Sequence, residues 1–311
     1  MGLKYLDIVA MFAKAGVFLK NMYICTIIDQ NKTNAMKQNN TDTIVLVTGA
    51  SSGIGEAAVM RLLRRGCTVY AAARRTERMT SLREAGAHLL SMDVTDDASM
   101  CAGIETIMKE QGRIDVLVNN AGYGSYGAIE CVPLDEARRQ MEVNVFGLAR
   151  LSQLVIPSMR SRRKGRIINV SSIAGHFNEP RGGWYHATKH AVLALSDSMR
   201  MELRPFGIDV VLIEPGMIAS EWADIAMQHL EEISASTAYE TSAARQARFF
   251  RQGYAHYATP ADRVARSIER AALCNHPRVR YRDGFGSTMF PLLHRLLPTR
   301  WFDAAIGSVM N

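Results

Sequence analysis

The sequence predicts an α/β protein built on one doubly wound parallel sheet of about seven strands, with helices on both faces. Short apolar runs of strand length recur from Thr43 onward, and segments of helical periodicity separate them. Strands that are apolar on both faces are typical of parallel sheets, whose connections need a crossover helix. With 48% hydrophobic and 22% charged residues, the chain can bury a full core.

The elements follow in a regular order, with a ligand crevice expected at the carboxyl ends of the strands. The predicted strands are Ile44 to Val47, Thr68 to Ala72, His88 to Met92, Val116 to Val118, Arg166 to Val170, Asp209 to Ile213 and Val279 to Tyr281. The predicted helices are 55–65, 76–85, 97–110, 134–161, 184–204 and 260–274.

Residues 1–42 do not match the pattern that follows them. The stretch from Tyr5 to Ile28 is fairly apolar, but three charged residues interrupt it. No uncharged run approaches the roughly 20 residues needed to span a bilayer, and secretory cleavage chemistry is missing. We interpret this segment as an extension, either disordered or produced by a start upstream of Met36, with an amphipathic surface helix as the alternative. The domain itself is predicted to span 43–311.

Charge and cysteine usage narrow the class of protein. The formal charge is +7, but the basic residues form short scattered clusters without interleaved aromatics, so we do not expect nucleic acid as a partner. Contact with a membrane surface is not favoured either. The five cysteines are scattered and lack metal-ligand spacing. They indicate a reduced, cytoplasmic protein without a metal site.

One helical turn carries a candidate acid/base pair. Tyr185 and Lys189 lie four residues apart, which places them on the same face of a helix. A neighbouring ammonium favours the phenolate, so we expect it to lower the pKa of the tyrosine.

A glycine-rich stretch, Thr48 to Gly55, joins the first predicted strand to the first helix. Its glycines permit a tight turn and a close approach of the backbone to a ligand, and the helix N-terminus offers free N–H groups to a phosphate. This position in the fold predicts a dinucleotide site.

The spacing Gly-x-x-x-Gly-x-Gly resembles the loop of the short-chain dehydrogenase/reductase family. The resemblance extends from about Thr43 to Ser220, and the stretch Glu202 to Ile208 is similar to the hydroxysteroid and retinol dehydrogenase branch. It implies a Rossmann fold that transfers a hydride between a nicotinamide and an alcohol/carbonyl pair. Further matching elements are Asn119-Asn120-Ala121-Gly122, Asn144 within Val143-Asn144-Val145, Ser171-Ser172 and Pro215-Gly216.

The resemblance implies a role for each of these residues. Tyr185 is the general acid or base, Lys189 holds the nicotinamide ribose, and Asn144 anchors a water of the proton relay. In the family the active serine lies 13 residues before the tyrosine, which selects Ser172. Asn119 is expected to tie the central strands together. The implied cofactor contacts are Gly49, Ser51, Ser52, Gly53, Ile54, Gly55, Arg74, Arg75, Asp93, Val94, Asn120, Ala121, Gly122, Lys189, Pro215 and Gly216.

The end of the second strand indicates which nicotinamide cofactor is used. An acidic residue there would accept the ribose hydroxyls of NAD, but the chain has Ala73 followed by Arg74 and Arg75. Guanidinium groups bind phosphate bidentately, which favours NADP(H) over NAD(H).

Substrate specificity is expected to come from Tyr123 to Glu130, Ile173 to Trp184 and a lid at about 217–257. These segments are rich in aromatic residues, which favours a hydrophobic carbonyl such as a steroid, retinoid or aliphatic ketone. The alternative is that the aromatic rings only pack the lid against the sheet. The aromatic residues are Tyr126, Phe177, Trp184, Trp222, Phe249, Phe250, Tyr254 and Tyr257.

Two other functions remain open. A non-catalytic dinucleotide-binding redox sensor would not need the complete reacting set. A sugar-nucleotide epimerase or dehydratase would carry a different glycine loop and a larger C-terminal domain. The segments 134–161 and 184–204 predict a homodimer or homotetramer, and the run Phe290 to Leu297 suits either an interface or a membrane surface.

Overall fold

A seven-stranded parallel sheet forms the centre of the computed structural model, which describes residues 42–310. The predicted N-terminal extension therefore lies outside the described residues, except for Asp42. The strand order is β3-β2-β1-β4-β5-β6-β9, and β7 and β8 form a separate short pair. The strands are β1 (Ile44–Thr48), β2 (Thr68–Ala73), β3 (His88–Ser91), β4 (Val116–Asn119), β5 (Gly165–Val170), β6 (Ile208–Pro215), β7 (Ile218–Ala219), β8 (Thr259–Pro260) and β9 (Arg280–Asp283).

Eleven α-helices are present in the described part of the chain, and the six predicted helical segments are among them. The segment predicted at 134–161 contains a π-helical turn, Glu142–Phe146, between two α-helices. The helices are α1 (Gly53–Arg64), α2 (Thr80–Glu84), α3 (Asp97–Gln111), α4 (Leu134–Met141), α5 (Gly147–Ser161), α6 (Gly183–Leu203), α7 (Trp222–Ser234), α8 (Glu240–Tyr257), α9 (Ala261–Leu273), α10 (Met289–Leu296) and α11 (Thr299–Met310).

Alternating side chains of each central strand enter two separate cores. Val45 and Val47 of β1 pack toward α1 and α9, whereas Ile44 and Leu46 pack toward α3 and α5. All of these strand residues are buried, as expected for a parallel sheet with helices on both faces. The Rossmann-type doubly wound architecture predicted from the sequence is confirmed.

The order of strands reverses between β1 and β4. From β1 the chain builds outward through β2 to β3, and from β4 it builds the other way through β5 and β6. Loops that leave the carboxyl ends of β1 and β4 therefore diverge and open a crevice, which is where doubly wound sheets bind ligands.

The edge strand β9 lies at Arg280–Asp283, whereas the apolar pattern predicted it at Val279 to Tyr281. The pattern was misleading because most residues of β9 are charged. Glu214 of β6 is fully buried, and Arg280 and Arg282 of β9 donate to its carboxylate. His176 Nε2 lies 3.1 Å from the same carboxylate. Burial alone would raise the pKa of Glu214, but His176 and the arginines lower it to about 2. Ion pairing, rather than apolar burial, therefore fixes this edge of the sheet.

The last two helices cover the loop that follows β5. Phe290 and Leu293 of α10 pack with Ile173, Phe177 and Phe302, so part of the apolar C-terminal run is directed inward. Within residues 42–310, no helix is both long and apolar enough to cross a membrane.

Candidate active site

The loop after β1 is shaped by glycines that no other residue could replace without strain. Gly49 and Gly53 have φ angles of +63° and +58°, in the left-handed region that favours glycine. A Cβ on Gly55 would lie 2.3 Å from the carbonyl oxygen of Gly49. The first turn of α1 therefore packs directly against this loop, with Ser51, Ser52 and Ile54 half-buried along it.

The loop after β4 is joined to the glycine loop by hydrogen bonds. The Asn120 side-chain amide donates to the carbonyls of Thr48 at 3.0 Å and Gly49 at 3.1 Å. The Thr48 hydroxyl accepts from the backbone N–H groups of Asn120 and Ala121. These bonds hold the two sides of the crevice at a fixed separation. Asn119 points away and donates to Asn169 of β5 at 2.9 Å, consistent with a structural role between strands.

Positive charge lies at the exposed end of β2. Arg74 and Arg75 are both exposed, and within residues 42–310 neither side chain forms a hydrogen bond or an ion pair. Burial opposes ionisation of Asp93, but hydrogen bonds from Thr95 and the charge of Arg74 lower its pKa. Arg78, by contrast, donates to Glu221 at 2.8 Å. Arg74 is therefore available to bind an anion above the crevice.

The remaining predicted cofactor residues border the same crevice. Val94 packs against α5 so closely that a Cβ on Gly147 would lie 2.3 Å from its carbonyl oxygen. Pro215 and Gly216 follow β6, where Gly216 N–H donates to Asp283 at 2.7 Å. A Cβ on Gly122 would lie 3.7 Å from Lys189 Nζ, so this glycine leaves room in front of the lysine.

Tyr185 and Lys189 are both buried on the inner face of α6. Lys189 Nζ lies 5.7 Å from the Tyr185 ring centroid and donates to the Val170 carbonyl at 3.3 Å. Burial raises the pKa of Tyr185 well above its ordinary value, while a hydrogen bond with Ser172 opposes that rise. Burial lowers the pKa of Lys189 to about 8. The expected lowering of the tyrosine pKa by lysine is therefore wrong for this structure, because desolvation, with the charge of Glu179, raises that pKa.

The two serines after β5 have different surroundings. The Ser171 hydroxyl donates to the Lys189 carbonyl at 3.2 Å and is buried in the helix packing. The Ser172 hydroxyl interacts with Tyr185 and accepts from the backbone N–H of Ala174 at 3.1 Å. Ser172, the residue selected by its spacing, is thus the serine beside the phenol.

Asn144 sits in the π-helical turn, where the Gly147 N–H bonds to the Glu142 carbonyl five residues back. Such turns widen a helix locally and are frequent at functional sites. The Asn144 side chain donates to the Tyr123 carbonyl at 2.9 Å and to the Thr188 hydroxyl at 3.1 Å. It therefore connects the loop after β4 to the helix that carries Tyr185.

Three aromatic side chains from separate segments surround Tyr185. The Trp222 ring centroid lies 5.0 Å from that of Tyr185, and the Tyr126 centroid lies 5.7 Å away. Phe250 packs edge-on against Tyr126 at 6.2 Å. Other predicted substrate contacts lie elsewhere, since Phe177 packs against the C-terminal helices and Tyr257 stacks on Phe285.

Two buried polar residues near this site were missed by the sequence analysis. The Glu179 carboxylate accepts from the Tyr126 hydroxyl at 2.8 Å, and His186 Nε2 lies 3.5 Å from it. No motif or spacing singles them out, because Glu179 lies in an irregular loop and His186 is a lone histidine in a helix.

Arg181 links the same loop to the end of the chain. It is buried and has φ +60°, unusual for a residue with a side chain. It donates to Gln246 at 2.5 Å and Ser242 at 3.0 Å in α8, and to the Met310 carbonyl at 2.6 Å.

The glycine-lined crevice at the strand-order reversal is followed along the chain by Tyr185, Lys189 and Asn144, which are buried, and by Ser172, which is half-buried. The family model for short chain dehydrogenases matches residues 43–230. The chain belongs to this family.

Several named relatives match more than half of the chain. A probable short-chain type dehydrogenase/reductase of Helicobacter pylori is 35% identical over 86% of this chain and 97% of its own. A 3-ketodihydrosphingosine reductase of Bacteroides thetaiotaomicron is 41% identical over 58% of this chain and 66% of its own. An NADPH-dependent 3-dehydrocapnine reductase of Ornithobacterium rhinotracheale is 40% identical over 57% of this chain and 65% of its own.

Solved structures give the same fold. A short-chain dehydrogenase from Streptomyces avermitilis has a TM-score of 0.72 and 32% identity over 86% of this chain and 98% of that chain. A Burkholderia phymatum family member in complex with NAD has a TM-score of 0.67 and 25% identity over 77% of this chain and 88% of that chain. A closed serine dehydrogenase complexed with NADP+ has a TM-score of 0.66 and 25% identity over 78% and 94%.

Proposed function

We propose that this chain is an NADP(H)-dependent oxidoreductase that interconverts a hydrophobic ketone and its secondary alcohol. The observation that carries the proposal is the position of Tyr185, which is buried beside the Ser172 hydroxyl and enclosed by Trp222 and Tyr126. A proton donor in an aromatic enclosure suits a substrate whose carbonyl is flanked by apolar groups.

The residues present fit a nicotinamide dinucleotide. The crevice wall consists of backbone and glycines, which leaves room for a pyrophosphate and a ribose. The Lys189 ammonium has three donors, and the described residues provide one long hydrogen bond, to Val170. Its other donors are therefore suited to the ribose hydroxyls. When bound, the nicotinamide supplies or accepts the hydride.

In the direction of reduction, the chain's own residues deliver the proton. Tyr185 donates its phenolic proton to the carbonyl oxygen, and the Ser172 hydroxyl donates a hydrogen bond to the same oxygen as charge develops. Because the pKa of Tyr185 is raised, the phenol is protonated at neutral pH and carries the proton that the reduction needs. Asn144 holds the loop after β4 against the catalytic helix and anchors the relay that restores the proton.

The preference for NADP(H) is supported by charge at the end of β2. Arg74 is exposed, has no partner among residues 42–310, and follows Ala73, where an NAD-selective site would have a carboxylate. The name of the NADPH-dependent Ornithobacterium relative agrees with this choice. Two relatives are named as reductases of 3-keto or 3-dehydro compounds, which supports reduction as the direction.

Homo-oligomer formation through the predicted helices is part of the proposal. Leu134, Phe146 and Leu195 lie on these segments and are 58%, 56% and 37% exposed. Apolar side chains so exposed on neighbouring helices suit burial against a second copy. Light scattering at micromolar concentration should give at least a dimer, and a monomer would contradict this part of the proposal.

The function is tested by cofactor binding followed by turnover. Nicotinamide fluorescence should show tighter binding of NADPH than of NADH, and a panel of ketones of increasing chain length should identify substrates. Tyr185→Phe should bind NADPH like the wild type but lower kcat by about 10²- to 10⁴-fold, the usual contribution of a general acid. Tight NADPH binding with no turnover of any ketone would instead support a redox sensor.

A further inference from the structure

We propose that Glu179 makes this enzyme selective for ketones that carry a protonated amine close to the carbonyl group. The inference rests on the function proposed above and names a chemical class for its substrate. Its basis is a buried carboxylate beside the aromatic enclosure of Tyr185, in surroundings that contain no hydrogen-bonded cation among residues 42–310.

Glu179 lies one aromatic ring away from the catalytic phenol. Its side chain is 7% exposed, and its Oε1 atom accepts a hydrogen bond from the Tyr126 hydroxyl at 2.8 Å. The Tyr126 ring in turn lies 5.7 Å from that of Tyr185. Gly182 allows this close grouping, because a Cβ there would lie 2.9 Å from the Tyr126 ring and 3.2 Å from Glu179 Cγ.

The neighbouring histidine does not supply a hydrogen bond to this carboxylate. His186 Nδ1 faces the carbonyls of Ala174 at 2.9 Å and Phe177 at 2.5 Å, so Nδ1 carries a proton that it donates to them. His186 Nε2 is buried without a hydrogen-bond partner in the described chain, although it lies 3.5 Å from Glu179 Oε1. The hydrogen bond that Glu179 accepts in the described chain therefore comes from Tyr126 and not from His186.

The nearby arginine is committed to other groups. Arg181 donates to Gln246, Ser242 and the carbonyl of Met310. The charge of Glu179 acts on Arg181 through space, while the hydrogen bonds of Arg181 named above go to other groups. A buried carboxylate held by one neutral hydroxyl is costly, and a cation that enters with the substrate would offset that cost.

The same charge acts on the reacting centre. Burial is the main cause of the raised pKa values of Tyr185, Tyr126 and Tyr254, and the negative charge of Glu179 raises all three further. An ammonium placed near Glu179 would counter that charge and make Tyr185 a stronger acid. A cationic substrate would therefore be favoured in the chemical step as well as in binding.

The rest of the enclosure is apolar. Met227 and Leu230 of α7, with Ala243 and Ala247 of α8, pack in one buried cluster with Tyr126 and Tyr185. Such walls suit an alkyl chain and offer no partner for a second polar group. The substrate that matches both features is amphipathic, with an amine beside the ketone and an aliphatic tail.

The experiment compares long-chain 3-ketones of equal length that bear a primary amine, a hydroxyl or hydrogen at carbon 2. For the wild type we expect kcat/KM to be about 10- to 100-fold higher for the amine than for the hydroxyl compound, the usual range for pairing a desolvated charge. In Glu179→Gln the preference should fall below about threefold, mainly through a higher KM for the amine, whereas neutral ketones keep their KM. Glu231→Gln is the matched control, because Glu231 is a half-exposed acid of α7 paired with Arg251 at 2.7 Å.

Binding of the products separates this inference from the proposed function. The 2-amino-3-alcohol and the 2,3-diol can be titrated into enzyme–NADPH complexes by fluorescence, without turnover. Tighter binding of the amine that Glu179→Gln removes supports the inference, even if no ketone is reduced and the proposed function fails. Turnover of ketones with equal binding of amine and diol by the wild type would overturn the inference and leave the function intact. The wild-type comparison alone decides this if the variant does not fold.

Discussion

The two halves of the active site are built in different ways. The cofactor half, at the carboxyl ends of β1 and β4, is made of backbone and glycine, with Gly49 and Gly55 in direct contact. The substrate half is made of side chains, where Tyr126, Trp222 and Phe250 come from three segments far apart in the chain. A backbone surface cannot be altered by substitution without moving the fold, whereas a side-chain surface can change one residue at a time. Single substitutions should therefore reduce cofactor binding strongly in the first half, whereas in the second half they should change which substrates are accepted.

The largest difference should appear when alanine replaces glycine in each half. In Gly55→Ala the new Cβ would lie 2.3 Å from the Gly49 carbonyl oxygen, which is backbone and cannot move aside. We expect a cost of about 3 kcal/mol or more, seen as a loss of NADPH affinity of roughly 100-fold.

Gly253→Ala is the matched change in the substrate half. Its Cβ would meet only the flexible end of Met217, at 2.9 Å. Since alanine is favoured over glycine inside a helix, this variant should be as stable as the wild type or more stable by about 0.5–1 kcal/mol. Melting temperature and NADPH titration measure both variants. Equal tolerance at the two positions would contradict the contrast between the halves.

Arg74 is the exception in the cofactor half, since a side chain makes the selective contact there. Arg74→Ala should weaken NADPH binding by about 10- to 100-fold and leave NADH binding nearly unchanged, as expected for loss of charge-assisted hydrogen bonds. Arg78→Ala serves as the control, because Arg78 is paired with Glu221 at 2.8 Å. Fluorescence titration with both cofactors gives the ratio, and parallel losses for NADPH and NADH would refute a phosphate contact.

Trp222 tests the substrate half directly. Its ring packs on Tyr185 at 5.0 Å and fills the space beside Gly124, where a Cβ would lie 2.5 Å away. Trp222→Ala should raise KM for long-chain ketones roughly tenfold through lost aromatic contact area, without changing NADPH affinity. Trp301→Ala removes a tryptophan that is 69% exposed and should leave the steady-state kinetics unaltered. A fall in NADPH affinity in Trp222→Ala would show that the halves are not independent.

The smallest effect concerns pH. Burial lowers the pKa of Lys189 from 10.5 to about 8, so its positive charge is present below that pH and is lost above it. NADPH affinity should therefore decline above about pH 8 by up to tenfold per pH unit, whereas a solvent-exposed lysine would keep its charge to about pH 10. Titrations across this range test the prediction. In Lys189→Met the decline should disappear, and its persistence there would assign the effect to another group.

The contrast between the halves also determines how much could be predicted from the sequence. Glycine spacing reports backbone geometry directly, so the loop from Thr48 to Gly55 and its place after β1 were correctly predicted. The helices α7 and α8 were not predicted as helices, because the sequence analysis treated the whole stretch 217–257 as a lid. The strand β9 was predicted at Val279 to Tyr281 but lies at Arg280–Asp283. Its charged residues give no apolar pattern, because ion pairs with Glu214 stabilise it.

The electrostatic state of the site was the least predictable property. Four-residue spacing placed Lys189 near Tyr185, but the pKa of each depends on burial, and Tyr185 is buried against the distant helices α7 and α8. Glu179 carries no local signal, because its importance comes from a hydrogen bond to Tyr126, 53 positions earlier in the chain. Long-range packing of this kind has no counterpart in residue spacing.

The hydrogen bonds of Arg181 have a consequence for shortened forms of this protein. Arg181 donates hydrogen bonds to Gln246 of α8 and to the Met310 carbonyl of α11. It therefore links α11 to the helix that carries Phe250, which packs against Tyr126. A deletion that removes α11 would break the contact with Met310, although α11 lies far from Tyr185 in sequence. The shortened protein should consequently differ from the untrimmed one in which ketones it accepts.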